Sequence, residues 1–183
     1  MAESRRSLLL TGRPGGGKTT IVRRVADSLV DRRIRGFVTE EIRVKGERQG
    51  FRLETFDGRS ALLAHVSDRS GPRVGKYGVN VPALEEVVDA ALDPNAGADV
   101  YLVDEIGRME CLSERFIDAM TRLLDSGRPV VATIARRGGG FIEDVKRRSD
   151  VEVWPVTRSN RDELPGKILS WFRRRAAAPT GAP

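Results

Sequence analysis

Cysteine is almost missing from this chain. Cys111 stands alone among 183 residues, so no internal disulfide can form, and a reducing cytoplasm is the expected setting. Its place beside a helix start favours a thiolate on electrostatic grounds, but a buried structural thiol is the better reading. Aromatics are scarce as well, at 5% of residues. They are not interleaved with the basic residues, which argues against a base-stacking platform for nucleic acid. Histidine occurs once. His65 has no His, Cys or acidic partner at metal-ligand spacing and is read as structural. No apolar run approaches the length of a membrane span. Leu8–Leu10, behind Arg5 and Arg6, is too short for the apolar core of a secretory leader.

What is present suits a globular protein. Apolar residues make up 39% and charged residues 32% of the chain, a composition that can bury a core. The length fits one domain over 1–175, with a frayed tail over 176–183. Repeats and linkers are absent. Net charge is +6, which suits a polyanionic partner. Acidic residues are interspersed nearly everywhere, so a solvated surface is favoured over a nucleic-acid groove. A monomer is expected.

Ser7–Thr11 is continuously apolar and reads as a strand buried on both faces. Gly12-Arg13-Pro14-Gly15-Gly16-Gly17-Lys18-Thr19 follows, then an amphipathic helix over 18–31. This is the Walker A pattern, or P-loop, in its required context of strand, loop and helix. Its glycines let backbone N–H groups curl inward as an anion nest at a helix N-terminus. Lys18 brings a positive charge for the outer phosphates, Thr19 offers a hydroxyl to a magnesium ion, and Thr20 extends the run. Gly12 to Thr20 are the expected nucleotide contacts.

The next section alternates. Ile34–Val44, Phe51–Phe56 and Ala61–Val66 read as strands of an antiparallel meander, with Lys45–Gly50 as a polar loop. Residues 67–81 read as a long loop, and 82–92 as a helix with Pro82 in its first turn. Val100–Val103 is a buried strand. Ser113 can cap a helix that Gly127 ends, and Pro129–Ile134 is another buried strand. Arg136–Gly140 is a basic, glycine-rich loop before a helix over 141–148. Val151–Val156 is the last strand, placed near a sheet edge by Trp154-Pro155. A helix over 162–175 closes the chain. Strands alternating with helices imply a mostly parallel α/β sheet covered on both faces, with ligands along the strand C-termini.

Val100-Tyr101-Leu102-Val103 ends in Asp104-Glu105, the Walker B arrangement. Asp104 is expected to hold Mg²⁺ together with Thr19. Glu105 is positioned to orient and polarise a water aimed at the γ-phosphate, and with Lys18 forms the expected catalytic pair. Such an acid pair points to the P-loop branch in which another strand lies between the two motif strands. Arg108, Arg136 and Arg137 are candidates for a further cation near the γ-phosphate. Asn160 and Arg161 follow the last strand at the same sheet edge. They fit contacts to the base and ribose; Asn160 and Asp162 fit helix capping equally well.

These segments together resemble the small P-loop nucleoside-triphosphatases of thermophile type, a family that includes the cancer-related nucleoside-triphosphatase. The resemblance runs through Gly12–Thr20, Gly36-Phe37-Val38-Thr39-Glu40-Glu41-Ile42-Arg43, Gly50-Phe51 and Arg73–Val79. It continues in Val103-Asp104-Glu105-Ile106-Gly107-Arg108-Met109-Glu110, Ala132-Thr133-Ile134 and Asn160–Leu164. It implies a RecA-like three-layer sandwich. It also implies magnesium-dependent hydrolysis of nucleoside triphosphates, with broad base tolerance and low turnover. Arg13 stands where the family frequently has a small residue or Pro, and Gly138–Gly140 replaces a Pro-containing stretch. Two other readings stand beside hydrolysis. One is a nucleotide or nucleoside kinase, with 67–81 covering an acceptor. The other is a nucleotide-gated contact with a protein partner.

Overall fold

A computed structural model describes residues 6–176; all but the first residue of the tail read at 176–183 lies outside them. The strands are β1 (Ser7–Thr11), β2 (Ile34–Val44), β3 (Glu47–Thr55), β4 (Ser60–His65), β5 (Arg73–Val74), β6 (Tyr77–Val79), β7 (Val100–Ile106), β8 (Val130–Ile134) and β9 (Val151–Pro155). The helices are α1 (Lys18–Asp27), α2 (Val81–Ala91), α3 (Glu114–Asp125), α4 (Phe141–Lys146) and α5 (Leu164–Ala176). All nine strands form one sheet in the order β5-β6-β4-β3-β2-β7-β8-β1-β9. The half from β2 to β9 is parallel. The meander continues the same sheet in antiparallel pairs. β8 lies between β7 and β1, as the acid pair implied.

The apolar parallel strands are explained by their two covered faces. Leu9, Tyr101, Val103, Val130 and Ala132 pack on one side against α2, α3 and α4. Leu8, Leu10, Val100, Leu102 and Val131 pack on the other against α1 and α5. With both faces buried, alternation disappears and a continuous run remains.

Four boundaries differ from the sequence reading by more than two residues. α1 stops at Asp27, not 31. The main chain of Arg33 is tied to Asp99 on both sides, its N–H reaching Oδ2 at 2.8 Å and its carbonyl accepting from the Asp99 N–H at 2.8 Å, so the chain must leave the helix to enter β2. The polar loop at 45–50 shrinks to a turn at Lys45-Gly46, both with positive φ (50° and 83°). β3 therefore starts at Glu47, in a polar run, Glu47-Arg48-Gln49, that has no apolar residue to alternate. The long loop at 67–81 contains the β5–β6 hairpin. Its strands are too short to alternate, and they are held through pairing of β6 with β4. β7 runs on through both acids to Ile106.

Gly36 marks the closest approach in the sheet. Its φ is +105°, and a Cβ there would stand 1.9 Å from the Leu102 carbonyl oxygen of β7. Gly36→Ala adds left-handed strain to a backbone clash. The expected loss is more than about 3 kcal/mol, or about 10 °C in Tm by thermal melting.

Candidate active site

β1 delivers the chain to the P-loop, and α1 leaves it at Lys18. Gly17 sits at the turn with φ 94°, a conformation side chains resist, and α1 has no side-chain cap. The first amides of the helix are thus left for an anion. Lys18 is buried. Its Nζ lies 3.4 Å from the Gly12 carbonyl, 3.5 Å from that of Arg13 and 3.9 Å from a Glu105 carboxylate oxygen. The last distance brings Walker A and Walker B together across 87 residues of sequence.

Asp104 is almost fully buried. One carboxylate oxygen accepts from Thr19 Oγ1 at 2.5 Å, and the other accepts from the Thr133 hydroxyl of β8. Its main-chain carbonyl accepts from the Thr39 hydroxyl of β2. Three neighbouring elements therefore orient this one residue. A carboxylate against a threonine hydroxyl is a hard oxygen donor pair that fits Mg²⁺. In a regular strand Asp104 and Glu105 would face opposite sides. The β7–β8 register shifts between Val103 and Ile106, and both acids line the same cavity. A bulge re-aims side chains in this way.

Burial pushes the Glu105 carboxyl up, Lys18 pulls it down and Asp104 raises it again. Glu110 was not foreseen as a site residue. It is buried in a 3₁₀ turn over Glu110–Leu112. Burial first, then the charges of Glu105 and Asp104, push its carboxyl up to about 8. A Cβ on Gly107 would stand 2.7 Å from an oxygen of Glu105 and 2.7 Å from an oxygen of Glu110. The two carboxyls thus flank one glycine. Cys111 is half-buried, and burial, Glu110 and Glu105 push its thiol up to about 12, which disfavours the thiolate. His65 Nδ1 lies 2.6 Å from Ser67 Oγ.

These groups open into a cavity of about 730 Å³. Pro14, Gly15, Gly17, Lys18, Thr19 and Thr20 line it from the P-loop side, with Asp104 and Glu105 from β7. Arg108 and Arg137 also line it; Arg136 does not, although its carbonyl accepts from Lys146 Nζ at 3.1 Å. Gly12, Arg13 and Gly16, also expected as nucleotide contacts, are not part of the lining; within the loop the Gly16 N–H reaches the Arg13 carbonyl at 3.0 Å. Asn160 and Arg161 are also outside it. Asn160 is engaged locally, accepting from the Thr157 N–H at 2.8 Å and donating to the Pro155 carbonyl at 2.9 Å. Arg161 approaches Gly17, its Cδ lying 3.7 Å from where a Cβ would be.

The sequence matches the model of a family described as NTPase over residues 7–169. The chain belongs to this family of nucleoside-triphosphate hydrolases. The nucleoside-triphosphatase THEP1 of Thermofilum pendens is 45% identical over 169 residues, covering 89% of this chain and 93% of that protein. THEP1 of Thermotoga sp. (strain RQ2) is 41% identical over 164 residues, with the same coverage of 89% and 93%. Two solved structures share the fold of this NTPase. The crystal structure of THEP1 from Aquifex aeolicus superposes with TM-score 0.83 at 34% identity, over 92% of this chain and 99% of that one. The solution structure of a human cancer-related nucleoside triphosphatase gives 0.79 at 32% identity, over 95% and 100%. The RecA-like sandwich expected from the sequence is the fold of this NTPase. Among the described residues, no helix is long and apolar enough to cross a membrane.

Proposed function

We propose that this chain hydrolyses nucleoside triphosphates to diphosphate and phosphate, with Mg²⁺, broad base tolerance and slow turnover, as a cytoplasmic monomer. The observation that carries this reading is the meeting of Lys18 with Glu105 and of Thr19 with Asp104 at one end of one cavity. In this reading the uncapped amides of α1 and the Lys18 ammonium bind the phosphate tail. Thr19 and Asp104 would hold Mg²⁺, which when bound offsets negative charge on the β- and γ-phosphoryl oxygens. Lys18 turns from Glu105 to the γ-phosphate as substrate enters. Glu105 then accepts a hydrogen bond from the attacking water and takes its proton. Glu105 emerges from a buried setting in which a carboxylate is a stronger base than in water.

The side-chain amide of Asn160 is already hydrogen-bonded to the main chain of its own loop. That leaves little to discriminate among bases and supports tolerance. Arg108 and Arg137 are the cavity-lining candidates for an added cation on the transferred group.

The test is phosphate release from a panel of triphosphates without any acceptor. Wild type is expected to release phosphate from ATP, GTP, CTP and UTP at rates within about tenfold of one another, a span of about 1.4 kcal/mol in barrier. Lys18→Ala is expected to lower kcat by about 10²–10³. Phosphate release that appears only when an acceptor is added would overturn the reading.

A further inference from the structure

Glu110 lines the cavity beside Asp104 and Glu105, yet hydrolysis by Lys18, Glu105 and a metal ion makes no use of it. It is 4% exposed. Burying a carboxyl is costly unless a cation or hydrogen bonds offset the loss of water. Among the described residues no lysine or arginine pairs with it, and its charged neighbours are the acids Glu105 and Asp104. Only the main-chain N–H groups of Gly107 and of Glu110 itself draw its proton affinity back down. The residues on either side, Met109 and Cys111, pack on the apolar core. A neutral side chain of similar size would cost the fold less at this place.

The space over Gly107 joins this carboxyl to Glu105. Backbone conformation does not demand glycine here, because the φ of Gly107 lies outside the left-handed region. Room does. A Cβ would stand 2.7 Å from Glu105 Oε1, 2.7 Å from Glu110 Oε2 and 2.9 Å from Glu105 Cγ. Two oxygens equally close to one point lie no more than twice that distance apart, a gap that one hydrogen bond or one bridging water spans. The oxygens of Glu105 therefore keep different company. Oε2 faces Lys18 at 3.9 Å, and Oε1 lies over Gly107 with Glu110. Two carboxylates so close do not both ionise. The deeper one, which has no cation, keeps its proton, in keeping with a Glu110 carboxyl pushed up to about 8. A carboxylic acid held neutral in this way is a hydrogen-bond donor. Once the phosphates draw Lys18 away, the half-buried Glu105 side chain has lost its cation and is free to turn unless Oε1 is held.

We propose that Glu110 is a positioning residue for hydrolysis: its carboxyl donates a hydrogen bond, directly or through one water, to Oε1 of Glu105 and so leaves Oε2 aimed at the attacking water. The inference rests on the reading of Glu105 as the base that takes the water's proton. Glu110 acts through Glu105 rather than on the substrate, and it neither gains nor loses a proton in the cycle. Gly107 supplies the room in which the two carboxyls meet. Without the hydrogen bond the Glu105 carboxylate swings, and a misplacement of about 1 Å costs up to about 100-fold in rate. The phosphate contacts of Lys18 and the α1 amides stay as they are, so binding is spared.

The experiment measures phosphate release from ATP with Mg²⁺, and equilibrium binding of a fluorescent ATP analogue, in Glu110→Met, Glu110→Gln, Gly107→Ala, Glu105→Gln and the double variant Glu105→Gln with Glu110→Met. Met fills the space of Glu110 and cannot donate; Gln donates through its amide. Glu110→Met is expected to lower kcat about 10–100-fold, with KM and nucleotide affinity within about twofold of wild type. Glu110→Gln is expected to bring kcat back to within about threefold. Gly107→Ala parts the two carboxyls and alters neither. It is expected to lower kcat about tenfold at unchanged KM, and it carries the test if Glu110→Met does not fold. In the Glu105→Gln background, Glu110→Met is expected to change kcat by less than about twofold, because the base it serves is already gone. Equal losses in the Gln and Met variants, a loss that falls on KM and affinity, or losses that multiply in the double variant overturn the proposal. Slow turnover in Glu105→Gln beside full turnover in Glu110→Met overturns it alone. Full turnover in Glu105→Gln overturns the base reading and this inference with it.

Discussion

Glu105→Gln protein should bind ATP with an affinity within about twofold of wild type and release phosphate about 10²–10⁴-fold more slowly. The change is isosteric, and it removes the basic oxygen while leaving the shape of the site. It also removes the acidic partner 3.9 Å from Lys18, so the ammonium is freer to meet the phosphates and affinity should not fall. Equilibrium binding of a fluorescent nucleotide, set beside steady-state phosphate release, separates the two effects. A variant that turns over as fast as wild type would remove Glu105 from the chemistry. A variant that fails to bind would place it in ground-state recognition.

The second large effect concerns stability. Glu110 is buried with its carboxyl pushed from 4.5 up to about 8, so the folded protein keeps its proton where the unfolded chain has released it. A raised carboxyl pKa gives stability that is complete below about pH 4.5 and is lost as pH rises toward 8. At about 1.4 kcal/mol per unit, the span is on the order of 4–5 kcal/mol. Glu110→Gln keeps a neutral side chain of the same shape. Denaturant midpoints should fall for wild type between pH 5 and pH 8 and fall less steeply for the variant, the Glu105 carboxyl, also pushed up by burial, contributing the slope that the two proteins share. At pH 8 the variant should be the more stable by at least about 2 kcal/mol. The carboxyls of Asp57, Asp99 and Asp150 are held low by hydrogen bonds, to Thr55, to the Arg33 amide and to Arg148 in turn. They act below about pH 4 and do not obscure this window. Equal pH slopes for the two proteins would show that Glu110 is ionised in the fold.

The parallel half of the sheet was legible because burial on two faces leaves continuous apolar runs at Leu8–Leu10, Val100–Val103 and Val130–Ile134. The P-loop was legible because its chemistry is local, with loop and helix start adjoining in sequence. Asp104 and Glu105 could be placed on a strand end, but not on one side of it. That outcome depends on a register shift against β8, which leaves no mark in β7 alone. The hydroxyls of Thr133 and Thr39 that orient Asp104 were present only as parts of a family resemblance. Thr133 has one local signal, a polar residue near the end of a strand otherwise apolar; Thr39, midway along β2 beside Glu40 and Glu41, has none. Glu110 likewise stood only within the resemblance, at the end of Val103–Glu110, with no role given to it. The β5–β6 hairpin and the start of β3 were missed because their partners, not their own residues, make them strands. Asn160 was open between base contact and local capping; its side chain is committed to the main chain of its own loop.

The meander is not a flap set over the phosphates. β2 pairs with β7 along one edge, up to Val103, and with β3 along the other, so the sheet is continuous from the strand that carries the acid pair to the cavity's opposite wall. Amide protons of β3 should therefore exchange with solvent on the slow timescale of β7 and β8. One continuous sheet joins Asp104 and Glu105 to the wall that carries Arg48 and Phe51, and so fixes the spacing between them. A chamber of constant dimensions selects its contents by size and charge at each wall position, so single replacements at residues 48, 51 or 63 are the economical way to redirect it.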